Sequence, residues 1–153
     1  MIVREATEID CIIIAANLRD ADKEEMLALG HKPGDELGLL LHGLNSPDGA
    51  LVVCGDDNVP FIIAGTVPTD DSRVGIVWAL GTDGVYSNYR YFLKNTRGWA
   101  DMFNSRYEVI CNIVHSKNEL HIRWLQWSGF ELIEDHYVNG NKFISFRRVR
   151  QNV

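Results

Sequence analysis

Apolar positions along this chain follow a helical rhythm first and a strand rhythm afterwards. Ile2–Ala6 is a short run of mixed polarity. Beyond it, apolar residues recur at Ile13, Ala16, Met26, Leu27 and Leu29, and Gly30 ends the run. This spacing predicts one long or broken helix, with Thr7 or Asp10 able to cap its start. Its middle, Arg19-Asp20-Ala21-Asp22-Lys23-Glu24-Glu25, reads as solvated on most faces. Pro33-Gly34-Asp35 restarts the chain. Leu37, Leu40, Leu41 and Leu44 then predict a second helix reaching Gly43 or Leu44. Three strand-like runs follow: Ala50–Cys54, Pro60–Val67 and Gly75–Leu80. The polar turns between them are short, so the three form an antiparallel meander.

The helical rhythm returns over Ser87–Ser105, with Tyr91, Phe92, Trp99, Met102 and Phe103 as its apolar positions. Tyr107–Val114 is β-rich. Glu119–Trp127 is a short helix stopped by Ser128-Gly129. Phe130–Glu134 and Phe143–Arg147 are strands around the hairpin turn Val138-Asn139-Gly140-Asn141. The order is β-α-α-β-β-β-α-β-α-β-β, without repeat, linker or low-complexity segment, so residues 1–153 form one domain. Arg148 to Val153 are expected to be loose.

A chain of 153 residues suits a single domain. It buries roughly 68–70% of its unfolded surface and needs no disulfide or metal to fold. The net charge of -6 argues against a nucleic-acid scaffold, which needs a basic face. Cys11, Cys54 and Cys111 sit among apolar neighbours with no CxxC pair, as small core residues in a reducing compartment would. Strand alternation groups Cys111 with Val109 and Ile113, facing inward. The start has no signal-peptide layout, and the apolar runs are too short to span a membrane. The default location is cytosolic.

The stretch from Asn118 to Phe130 carries a motif: an asparagine at a helix start, then Gly129-Phe130 about three turns later opening a strand. With the strand ending at Val114, it resembles the last motif of the GNAT (N-acetyltransferase) fold. That likeness implies an α/β (α+β) domain with a mixed, mostly antiparallel central sheet flanked by helices. Val77-Trp78-Ala79-Leu80-Gly81-Thr82, Phe92-Leu93, Trp99, Asn118, Arg123-Trp124-Leu125, Trp127 and Gly129-Phe130 are similar to a GNAT-like family of short-tailed bacteriophages. Asp22-Lys23-Glu24-Glu25, Leu29-Gly30 and Pro33 fit it as well. Its members are described as acetyltransferases or as proteins that assemble the internal virion core. The resemblance therefore implies a protein of the host cytoplasm or of the packaged virion.

The resemblance also implies where acetyl-CoA would lie. The pantetheine arm would run along Trp78, Ala79, Leu80 and Gly81, and the pyrophosphate would sit at the next helix start, where the helix dipole favours anions. The family signature there is Arg/Gln-x-x-Gly-x-Gly/Ala; this chain has Gly81-Thr82-Asp83-Gly84-Val85-Tyr86. Gly84 matches the central glycine. Gly81 and Tyr86 depart from the signature, and Asp83 puts a carboxylate near the phosphates. At ~4 Å and an effective dielectric of ~20 that repulsion is of order 4 kcal/mol. Asp83 or Ser87 serving only as a helix cap is the plainer reading. Arg90, Lys94 and Arg97 share one helix face and either meet phosphates from the side or form a solvated basic stripe. Asn118 is a helix cap that could also contact the cofactor.

For catalysis, the position where many GNAT enzymes carry a tyrosine acid is Leu125, which cannot donate a proton. Leu120, Trp124 and Trp127 share a face and read as core. Glu24 and Glu25 are the carboxylates that could take a proton from an amine, although a solvated surface is their plainer role; His121 and His115 come next. His121 should project away from most of the tryptophans, lining a groove or simply wet. The five histidines lack ligand spacing, so no metal is expected. Two functions compete: an acetyl-CoA-dependent N-acetyltransferase acting on an amine of unknown identity, and a non-catalytic GNAT-shaped protein that binds a phage or host protein. Partition of the strands at Trp78–Leu80 and Val109–Ile113 into an open wedge is the geometric idea on which the assignment rests.

Overall fold

The computed structural model describes residues 1–151. Its elements are β1 (Ile2–Glu5), α1 (Glu8–Ala16), α2 (Asp20–Ala28), α3 (Glu36–Leu44), β2 (Ala50–Cys54), β3 (Pro60–Pro68) and β4 (Val74–Gly81). There follow α4 (Gly84–Ser87), α5 (Tyr89–Arg106), β5 (Val109–His115), α6 (Glu119–Trp127), β6 (Glu131–Val138) and β7 (Asn141–Val149). One seven-stranded sheet has the order β1-β2-β3-β4-β5-β7-β6. Every neighbouring pair is antiparallel except β4 with β5. The mixed, mostly antiparallel sheet expected from the sequence is thus present. Among the described residues no helix is long and apolar enough to cross a membrane.

The first helical pattern breaks in two. Thr7 and Asp10 both act at its start: the Thr7 hydroxyl accepts from the Asp10 amide, and the Asp10 carboxylate accepts from the Thr7 amide at 2.8 Å. Such a reciprocal box satisfies two orphan donors of the first turn. Asp10 also holds Arg4 through two bonds of 2.6 and 2.8 Å, tying β1 to α1. The chain leaves the helix after Ala16 because Leu18 is buried and bridges to Thr82. Arg148 and Val149 belong to β7, so the C-terminal strand is longer than expected; Asn152 and Val153 lie outside the described residues. Asn139 and Gly140 both have positive φ, 51° and 78°, giving the two-residue hairpin turn that the Asn-Gly pair favours.

Alternating strand residues split the core. Ile63 packs with Cys11, Ile14 and Leu40 under α1 and α3. Ile62 packs with Phe92 and Trp124 on the side of α5 and α6. Ile110 and Val114 of β5 join Phe103, Leu125 and Phe146. The inward positions of β5 are therefore Ile110 and Val114, one residue away from the expected set, and Cys111 is only partly buried. Each fully buried aliphatic or aromatic side chain contributes about 1.5–3 kcal/mol.

β4 and β5 pair over only three residues, Val74 to Ile76 against Val109 to Cys111, and then part. From there β4 keeps only β3 and β5 keeps only β7 as ladder partners. The closed end is set by Tyr107, whose ring covers Gly75 so closely that a Cβ there would stand 2.5 Å from Cδ2. The Tyr107 hydroxyl donates to Asp48, and burial together with that carboxylate pushes its pKa up to about 12.

Candidate functional site

The parted strands expose two backbone edges. Thr82 N–H donates to Phe61 of β3 at 2.9 Å. Alternation along an antiparallel strand then turns the peptide groups of Trp78 and Leu80 toward β3 and those of Val77, Ala79 and Gly81 toward the gap. The chain itself occupies part of this edge. Asn112 Nδ2 donates to Val77 O at 2.8 Å. Gly81 N–H donates to Asp22 Oδ2 at 3.0 Å, and Gly81 O accepts from Arg19 N at 3.0 Å. Across the gap, His115 N–H of β5 donates to Glu25 Oε1 at 2.6 Å. Helix α2 therefore spans the open end, with Asp22 on one strand edge and Glu25, three residues on, on the other.

This overturns the solvated reading for Arg19, Asp22 and Glu25, while Asp20, Lys23 and Glu24 are exposed as expected. Arg19 and Asp22 are each only 2% exposed, and Glu25 is 9% exposed. Arg19 Nη2 bonds Asp22 Oδ1 at 2.9 Å and Asn118 Oδ1 at 3.0 Å, while its guanidinium lies 5.2 Å from the centre of the Trp124 ring. Asn118 sits at the N-cap of α6 but makes no side-chain cap bond. Its amide instead joins Arg19 and donates to Asp22 at 3.2 Å. The expected cap is thus a buried link in an ion-pair network, because two charges removed from water require every available partner. Burial opposes the Arg19 charge, but Asp22, and the nearby Tyr86 hydroxyl, outweigh it and raise its pKa.

Burial pushes the Glu25 carboxyl up to about 7, assisted by Asp22 and opposed by the His115 amide and Arg19. His121 is partly exposed, but its Nδ1 is sealed from solvent without a partner. Its ring tilts against Trp124 at 6.3 Å and lines the gap between the parted strands. Burial and Arg19 lower its pKa against the pull of Asp22. Ligand atoms of Asp22, Glu25 and His121 approach within 4.8 Å of one another, the one set among the described residues that could hold a metal. Asp22 is a poor ligand there, since both its oxygens already accept from Arg19, Asn118 and Gly81.

The remaining candidates separate from this cluster. Glu24 is exposed and lines a shallow outer depression with His115 and Lys117, away from Glu25. The His115 ring packs on Phe143 at 5.2 Å. Helix α4 begins at Gly84, earlier than the pattern predicted. Neither Asp83 nor Ser87 caps a helix with its side chain; the Thr82 hydroxyl accepts from Gly84 N–H at 3.1 Å. A Cβ on Gly84 would stand 2.8 Å from that of Phe61, so packing demands this glycine. Arg90 and Lys94 are exposed, whereas Arg97 donates to Trp127 O at 2.7 Å and lies over that ring. Leu125 is core, but Trp127, expected there too, is 49% exposed. The Trp78 ring is wedged between Gly43 and Gly65, where a Cβ would meet it at 2.5 and 3.2 Å.

A cavity of about 380 Å³ runs through the gap, bordered by Trp78, Gly81, Arg19, Glu25, His121 and Trp124 among others. Parted β4 and β5 in this strand order define the fold of GNAT acetyltransferases. Solved structures bear this out. A spermidine N-acetyltransferase from Vibrio cholerae is 11% identical, with 97% of this chain and 95% of that one covered at a TM-score of 0.70. AAC(6')-Ib, solved with ribostamycin and coenzyme A, is 14% identical, with coverage of 97% and 92% and a TM-score of 0.71. A ribosomal-protein-alanine N-acetyltransferase from Brucella melitensis is 13% identical, with coverage of 97% and 99% and a TM-score of 0.66. No protein-family profile and no curated protein sequence matches the chain.

Self-engagement of Gly81 narrows the strand edge along which acetyl-CoA is expected to lie, in a fold that AAC(6')-Ib shows with coenzyme A bound. Along the stretch expected to carry the arm, the two wedge-facing peptide groups belong to Ala79 and Gly81, and Gly81 is already bonded on both its N–H and its C=O. The Gly84 amide is turned to Thr82, and Asp83 beside it is exposed.

Proposed function

We propose that this protein uses the GNAT fold for binding and not for acetyl transfer. Its partner is a protein of the virion core or of the host, as the likeness to a short-tailed phage family implies. The observation that carries this reading is the engagement of Gly81 by Asp22 and Arg19, which takes up one of the two peptide groups that an acyl-CoA arm would meet on this strand edge. Leu125 in the core, where a tyrosine acid would stand, supports it. Calorimetry with acetyl-CoA and CoA at millimolar ligand tests it. No saturable heat is expected, and no thiol release with a panel of amines. Saturable binding accompanied by acetyl transfer would overturn it.

A second reading, N-acetyltransferase, is favoured by one observation: Glu25, with a pKa of about 7, lies on the cavity between the parted strands. A carboxylate so tuned suits removal of a proton from an amine near neutral pH. This reading requires transfer that rises with pH through about 7 and falls at least ~100-fold in Glu25→Gln.

A further inference from the structure

Helices α5 and α6 lie side by side. The Phe92 and Trp124 rings meet at 4.4 Å, and the Thr96 and Ser128 hydroxyls lie 2.9 Å apart. Each partner of the second contact stands one turn beyond a partner of the first, so the two helices run in the same direction. Phe92, Thr96, Ala100 and Phe103 turn the inner side of α5 into the core. On its outer side Arg90, Lys94 and Arg97 recur at i, i+4 and i+7, and all are exposed. Arg97 reaches across to α6. Its Nε donates to Trp127 O at 2.7 Å, and its guanidinium lies 5.1 Å from the centre of the Trp127 ring. That ring is half exposed, and its indole donates to Leu93 O. Arg123, one turn before Trp127, is exposed as well. Basic side chains from both helices thus surround one open aromatic ring.

These charges are unanswered by the chain itself. Although the net charge is -6, Arg90, Lys94, Arg97 and Arg123 form no ion pair among the described residues. Six of the ten arginines do form one, so the unpaired ones are concentrated on this face. The acidic residues of α5 and α6 are Asp101, which Arg148 holds, and Glu119, which pairs with nothing within reach. Arg and Trp are residue types that dominate binding energy at protein interfaces. From Arg90 to Arg97 the helix advances ~10 Å, the length of about three residues of extended chain. A nucleic acid needs a longer basic track, and the acidic remainder of the chain repels a long polyanion.

We propose that the outer face of α5 and α6 is where this protein docks its partner, and that the partner presents a short acidic segment with an aliphatic or aromatic residue seated on Trp127. The proposal rests on the binding reading above and names the chemistry of the partner. Carboxylates of the segment meet Arg90, Lys94 and Arg123 in charge-assisted hydrogen bonds. Exposed pairs are individually weak, so the charges set orientation and encounter rate while the residue on Trp127 supplies most of the affinity.

The test is fluorescence anisotropy of the full chain with three labelled peptides of ~8 residues: Glu and Asp around a central Leu-Phe, the same acids around Gly-Gly, and Gln and Asn around Leu-Phe. Saturable binding of the first is expected, at least ~5-fold tighter than either of the others. It should weaken at least ~10-fold when salt is raised to about 0.5 M. Arg90→Glu combined with Arg123→Glu should lower the affinity at least ~10-fold, whereas Arg73→Glu, in the turn between β3 and β4, should leave it unchanged. Thermal unfolding checks that the variants fold, and the Trp127 indole N–H resonance should shift on titration. No saturable binding, equal binding of the neutral peptide, equal or tighter binding of a single-stranded RNA of similar charge, or an unchanged double variant would each overturn the proposal. Acetyl transfer leaves the peptide titration unaffected, and a peptide null leaves the calorimetry with acetyl-CoA unaffected, so the two failures are distinguishable.

Discussion

Glu25 shows how one residue serves two ends. Its Oε1 satisfies the His115 amide left exposed when β5 parts from β4, and the cost is a carboxyl held at about 7 instead of its ordinary 4.5. Between those values the folded chain keeps a proton that the unfolded chain releases, so stability falls as pH rises from about 4.5 through about 7 and then levels. Over that shift the loss is about 3 kcal/mol. Glu25→Gln keeps the acceptor and cannot ionise; it should be more stable than the native chain at pH 8 by up to about 3 kcal/mol and equal to it near pH 4. Urea unfolding of both proteins across that range measures the difference. Burial lowers the pKa of His115 and of His121, which opposes folding in acid in both proteins alike and cancels from the comparison. Gly84 makes a simpler case: Gly84→Ala meets Phe61 and should lose about 1–3 kcal/mol by urea unfolding.

At the scale of elements, the strands and hairpin were readable because their signals are local. Asn139-Gly140 demands positive φ, and Ala50–Cys54 appears with the predicted bounds. The role of α2 was not readable in the same way. Arg19-Asp20-Ala21-Asp22-Lys23-Glu24-Glu25 is rich in charge, and charge runs are ordinarily solvated. A signal was nevertheless present: Arg19, Asp22 and Glu25 are spaced by three and share a stripe with Met26, while Asp20, Glu24 and Leu27 are exposed. What no local pattern reveals is that Asn118, 96 residues beyond Asp22, completes the network. Removing one member leaves another charge buried without its partner. Asp22→Ala should therefore cost about 3–5 kcal/mol in urea unfolding, more than an exposed ion pair such as Lys142–Asp135 would.

For the molecule as a whole, the sheet opens without leaving its edges bare. Tyr107 and Gly75 fix one end of the gap and α2 covers the other. Native-state hydrogen exchange should find the Gly81 and His115 amides protected as part of the core, although neither uses a β4–β5 ladder bond. The Ala79 amide, facing the cavity, should exchange faster. Equal exchange at all three would mean that α2 does not hold the two edges in solution. The order of elements was legible in the sequence and the parting of β4 and β5 was implied by the family resemblance; the self-engagement of the gap was not legible, because it depends on contacts between distant parts of the chain.

The far end of α2 is moored as well. Asn139, in the turn of the terminal hairpin, donates from Nδ2 to Ala28 O at 3.2 Å and sits against Gly30, where a Cβ would approach that same nitrogen at 3.2 Å. The helix is thus a crossbeam fastened at both posts, to β4 by Asp22 and to the β6–β7 loop by Asn139. A beam fixed at two points cannot swing like a door on a single hinge. Anything that draws it aside must work loose a buried ion pair at one post and a hairpin at the other, so traffic through the gap is governed as much by a loop near the chain's end as by the residues that line it.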